Sequence, residues 1–167
     1  MLFRSHSYNH WNSGRPIDTE HWGISLWATQ KKDMSALHLF EAKAFVPEGV
    51  IAEIVGVTDR ERESRSFKLK EDTRLRVMAI GEGVGNEMAD YGWIENEAGK
   101  VIWEMTMGMT EHAGGANKNR IFNDIIMLPA GSYRVVFETD SSHSYKDWNA
   151  TPPTQADRYG ITLTVEE

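Results

Sequence analysis

From Ile51 onward, short apolar or alternating runs recur at intervals of about 8–12 residues, separated by Gly, Pro, Asn or Asp. That rhythm is the pattern of an all-β domain built from antiparallel strands. It predicts strands near 51–57, 65–69, 73–80, 91–95, 101–106, 121–128, 133–139 and 159–165. In the third of these, Leu75, Val77 and Ala79 alternate with Arg74 and Arg76, so one face is dry and the other wet. The expected architecture is an antiparallel β-sandwich of about eight strands, with long loops at 107–120 and 140–158.

Three connections can be read from their residues. Gly99 supplies the left-handed position that closes a short loop between Trp93-Ile94 and Val101-Ile102-Trp103. Pro129 presets φ and Gly131 offers a left-handed residue, predicting a second turn that pairs the flanking strands as a hairpin. The sign-alternating run Asp59-Arg60-Glu61-Arg62-Glu63 reads as a solvated hairpin tip. Met105, Met107 and Met109 fall on alternate positions and are expected on one face of a strand.

Composition narrows the chemistry. With no cysteine among 167 residues, a disulfide scaffold, a thiolate zinc site, an iron–sulfur cluster and a cysteine nucleophile are all excluded. A formal net charge of −7 argues against nucleic acid or an anionic membrane as partner. No apolar run approaches the ~18 residues of a membrane helix, so no membrane insertion is expected, and the first residues lack the apolar core of a signal peptide.

The chain also contains a self-match. His6 to Leu26 aligns without a gap to His143 to Leu163, with identities at His, Ser, Tyr, Trp, Asn, Pro, Gly, Ile and Leu. Gln30 then corresponds to Glu167. The division expected is a tail over 1–30 equivalent to the end of a preceding repeat unit, a linker over 31–50 and a β-sandwich domain over 51–167. Within the linker, Asp33 suits the cap of a short helix carrying Met34, Leu37 and Phe40, and a strand through 37–40 fits equally. Residues 21–28 copy the closing strand, and a lone amphipathic strand of this kind favours self-association at a sheet edge.

Phe67-Lys68-Leu69, Thr73–Val77, the Asp90–Ile94 to Gly99–Val101 hairpin, Leu128-Pro129-Ala130-Gly131-Ser132-Tyr133 and the closing Tyr159–Thr164 together resemble the bacterial pre-peptidase C-terminal domain. The resemblance covers roughly residues 64–165. It implies a jelly-roll-like β-sandwich, an accessory rather than catalytic role, and a periplasmic or extracellular setting. The whole unit, with Trp103–Thr106, Glu111–Ala116 and His143–Tyr145, is also similar to uncharacterised tandem modules of large bacterial multidomain proteins. The aromatic 140–158 loop and the Gly-rich 107–120 loop depart from the first family, and no metal ligand transfers from it.

Loops on a rigid scaffold are where function concentrates. The 107–120 loop offers Glu111 and His112 for proton transfer or metal binding, and Lys118 and Arg120 for an anion. The 140–158 loop offers Asp140, Asp147, Asp157 and Asn149 as hard oxygen ligands, so calcium is the one cofactor envisaged, although no calcium-loop spacing is present. His143, Tyr145, Trp148 and Asn149 recur in both copies, whereas Asp147 and Asp157 are replaced there by His10 and Glu20. A recurring aromatic and amide set ties a loop down. The same set would otherwise form a sugar- or peptide-stacking surface.

No nucleophile elbow, phosphate-binding loop, dinucleotide fingerprint or His-Glu-x-x-His occurs. The expected function is therefore a non-catalytic accessory or interaction module with a protein or polysaccharide partner. A carbohydrate- or calcium-binding domain using both long loops is the alternative. A hydrolase using Glu111 and His112 is the weaker one.

Overall fold

A computed structural model of the chain describes residues 49–166. The 1–30 tail, the 21–28 strand and all but the last two residues of the 31–50 linker lie outside the described residues.

Alternation becomes nine strands: β1 (Val50–Val55), β2 (Arg62–Leu69), β3 (Thr73–Val84), β4 (Glu87–Asn96), β5 (Val101–Glu104), β6 (Glu111–His112), β7 (Asn119–Leu128), β8 (Gly131–Glu138) and β9 (Gly160–Val165). All eight expected strands are present, and the two-residue β6 is the addition. Every pairing is antiparallel. One layer runs β1-β9-β3-β7-β6 and the other β2-β8-β4-β5. With β6 set aside, this is the two-sheet order of a jelly roll. Among the described residues no helix is long and apolar enough to cross a membrane.

The dry faces meet between the layers. Ile54, Leu75, Val77, Ala79, Ile161 and Leu163 come from the first sheet and Phe67, Ile94, Val135 and Phe137 from the second, all buried. Burying one such large side chain is worth about 1.5–3 kcal/mol, well above any exposed ion pair on the surface.

The sheets are joined at a corner. β9 accompanies β3 as far as Ile80↔Gly160, and from Glu82 onward β4 takes over that edge, with Glu82 opposite Asp90 and a register shift after Glu82. β4 then leaves for the second sheet, where Tyr91 pairs with Glu138. Alternation in β3 stops here because the crossing strand covers both sides, and Ile80 to Gly83 are all buried. Gly81 permits the approach, since a Cβ there would overlap the Asp90 carbonyl oxygen.

Three local expectations are corrected. Leu128–Tyr133 is no hairpin: β7 lies in the first sheet and β8 in the second, and Gly131 is not left-handed. Tyr133 stacks on Phe67 with ring centroids 5.4 Å apart and donates to the Pro129 carbonyl at 2.8 Å, so the turn serves to change layers. Nor is 59–63 a hairpin tip, because β1 pairs with β9 and β2 with β8. The methionines do not share a strand face, because β5 ends at Glu104 and Met107–Met109 form a 3₁₀ turn, with Met105 buried and Met109 exposed. The Gly99 turn forms as expected, with φ of 75° and its N–H on the Asn96 carbonyl at 2.9 Å.

Candidate functional site

Strand register brings 56–61, 85–86, 105–118 and 139–159 to the same end of the sandwich. The two long loops are laced together there. Ala116 N–H donates to the Thr151 carbonyl at 3.0 Å and Thr154 N–H to the Ala113 carbonyl at 2.9 Å. Gly115, with φ of 69°, sits against the Pro152 carbonyl where a Cβ would not fit.

Asn119, fully buried at the start of β7, is the central tie. Its Nδ2 donates to the Gly114 carbonyl at 2.7 Å and the Thr151 carbonyl at 3.0 Å, which leaves Oδ1 to accept from His143 Nε2 at 2.6 Å. That assigns the proton of neutral His143 to Nε2, and Nδ1, also buried, has no partner. His143 adopts a left-handed φ of 65° and lies wholly inside. Burial, with Lys118 nearby, depresses its pKa below the ordinary imidazole value.

An edge-to-face aromatic chain runs inward from the loop. Trp148 packs against His143 at 5.2 Å and Tyr159 at 5.0 Å, and Tyr159 meets Phe137 at 6.0 Å. Tyr145 N–H donates to the Val57 carbonyl at 3.0 Å, and Ser144 Oγ donates to the Asp59 carboxylate. Asn149 Oδ1 accepts from Lys118 Nζ at 2.6 Å. These residues hold the loop onto the sandwich, and the buried His143 offers no surface for stacking a sugar.

Three carboxylates meet where this loop leaves β8. Glu82, Asp90 and Asp140 each place an oxygen within 4.8 Å of the others. Asp90 is fully buried, accepting Tyr159 Oη at 2.5 Å and the Asp140 N–H at 2.7 Å. Burial pushes its pKa up to about 7, against the pull of those two donors. Burial also raises the pKa of the Tyr159 hydroxyl and that of Glu82, the latter partly offset by Lys118 Nζ at 2.7 Å from Glu82 Oε1.

Other candidates are placed elsewhere. Glu111 and His112 are exposed neighbours on β6 and line different hollows, Glu111 with Met109 and Phe122, His112 with Ile80 and Thr154. Successive strand residues point to opposite faces, so the two do not form a proton-transfer pair. Arg120 is turned to Thr110, donating from Nε to Oγ1 at 2.9 Å and from an Nη to the carbonyl at 2.5 Å. Asp147 and Asp157 are exposed, and neither joins Asp140 in the carboxylate group. A hollow of about 740 Å³ lies at the opposite end between β2, β8 and the β4–β5 turn, lined by Lys68, Asn96, Glu97 and Arg134 and by no buried carboxylate.

Sequence reasoning passed over Glu82, Asp90, Asn119 and Tyr159 as site residues. One signal for Glu82 was present: Gly81-Glu82-Gly83 sets a carboxylate between two glycines inside a strand, where close backbone approach is to be suspected. Compared with protein-family models and with curated proteins, the chain matches none.

Proposed function

We propose that the chain is a non-catalytic jelly-roll accessory module, of the kind found in bacterial multidomain or envelope-associated proteins, that binds or assembles with a protein or polysaccharide. The carrying observation is how the polar side chains of the long loops are used. Asn119, His143, Lys118, Asn149 and Ser144 are bonded to one another or to the scaffold, and Glu111 and His112 face different hollows. Polar groups spent on one another and on the scaffold support a role as a shaped surface for a partner. The self-association reading rests on the duplicated 21–28 segment of the sequence. Light scattering on the full chain and on its Ile24→Lys variant tests it: the native chain is expected to exceed one chain mass and the variant to fall to it. A native chain of single mass at every concentration, or turnover in a panel of glycosidase, esterase and peptidase substrates, would refute the respective parts of this reading.

A second reading, ligand binding at the loop end, is favoured by one observation. Both long loops converge over the Glu82, Asp90 and Asp140 carboxylates. A soluble glycan panel and a set of divalent cations, each followed by thermal shift, separate it from the first.

A further inference from the structure

We infer that the loop end binds a divalent cation of the calcium type, held by the carboxylates of Glu82, Asp90 and Asp140. The inference rests on the second reading above and names its ligand.

The strand pairing builds the site. Glu82 and Asp90 are directly opposed where β4 crosses β3, so their side chains leave the same face at neighbouring positions. Asp140, the first residue beyond Thr139 after β8, is pinned to Asp90 by its own N–H. The resulting separation of carboxylate oxygens, within 4.8 Å, suits one hard cation with oxygen ligands at about 2.3–2.6 Å. Asp140 is exposed while the other two are buried, so the group reaches from the interior to the surface.

An independent observation points to a ligand. Glu82 is only 3% exposed, its Oε1 is taken by Lys118, and its Oε2 has no hydrogen-bond partner. A buried carboxylate oxygen without a donor is costly, and a single lysine does not balance three carboxylates. A cation between the carboxylates answers both deficits.

Donor chemistry selects the class. The group is all oxygen, the chain has no cysteine, and no imidazole nitrogen belongs to the group. Hard oxygen sets favour calcium, magnesium or manganese over zinc or copper. Three protein carboxylates, with water completing the shell, predict a dissociation constant of about 10⁻⁵–10⁻³ M.

The test uses terbium(III) as a luminescent calcium substitute on the full, chelator-treated chain. Tyr159 and Trp148 lie beside the carboxylates, so ultraviolet excitation should give saturable terbium emission that calcium displaces. Calcium should also raise Tm. Glu82→Gln and Asp140→Asn should each weaken calcium binding at least tenfold, whereas Asp147→Asn and Asp157→Asn should leave it unchanged. Asp140 is exposed, so Asp140→Asn alone decides the matter if Glu82→Gln fails to fold. Absence of both terbium emission and any Tm response to calcium, magnesium or manganese would overturn the inference. So would undiminished binding by Asp140→Asn. A glycan response without a cation response would leave the second reading standing and refute this one, and silence in both would refute both.

Discussion

The two ends of the sandwich are closed by opposite means. At one end the connections are short, 70–72, 97–100 and 129–130, and apart from the Ala130 N–H on Asp72 Oδ1 at 3.0 Å their side-chain bonds are local. Asn96 Oδ1 accepts the Ala98 and Lys100 N–H groups at 3.1 and 3.0 Å, and Tyr133 reaches back four residues to Pro129. At the other end His143 reaches Asn119 across 24 residues, Tyr159 reaches Asp90 across 69, and Ser144 reaches Asp59 across 85. A turn bonded within itself fails alone. A loop end bonded across the chain shares each partner among several segments, so the loss of one group is felt by all of them.

That contrast can be broken by substitution. Asn119→Ala removes two donors and one acceptor from a fully buried site, and about 3–5 kcal/mol of stability should go with them in urea unfolding, since the Gly114 and Thr151 carbonyls and His143 Nε2 all lose a partner. Tyr159→Phe keeps the aromatic packing and deletes the hydroxyl on Asp90, for an expected loss of about 2 kcal/mol by the same measurement. Asn96→Ala, at the short end, should cost about 1 kcal/mol, because the amides it releases are near the surface and water replaces the carbonyl. If Asn96→Ala proved as damaging as Asn119→Ala, the two ends would not differ in the way described.

The smallest expected effect is one of slope. His143 is held neutral in the fold, with its pKa depressed by burial, while the unfolded chain protonates near the ordinary value of about 6.5. Stability from this residue is therefore present above that value and lost as the pH falls below it. His143→Gln should show a shallower decline of stability than the native chain on acidification below about 6.5 in parallel urea titrations. Equal slopes would mean that the imidazole is not kept neutral by the loop.

Legibility followed the range of the contacts. Leu75, Val77 and Ala79 were readable as a dry face because strand alternation is written residue by residue, and the Gly99 turn because its bonds span four residues. The Pro129–Gly131 turn misled because hairpin residues also serve a turn between layers, and the layer each strand joins is a matter of its partners. The recurring His-Ser-Tyr and Trp-Asn were readable as loop ties, and His143, Trp148 and Asn149 make such contacts. Their partners Asn119 and Lys118 lay in another loop with no local mark of the connection. Among the oxygen ligands considered, only Asp140 entered the carboxylate group, because its companions come from β3 and β4 and not from its own loop.

By itself, the sequence determined that the described residues form antiparallel strands with two long loops, and that thiolate chemistry is absent. Both are local properties, one of side-chain period and one of composition. Tertiary structure alone decided that β4 would cross β3 at Gly81, set Glu82 against Asp90 and bring Asp140 down upon them. That meeting depends on the packing of two sheets, where backbone approach and desolvation act between residues far apart in the chain.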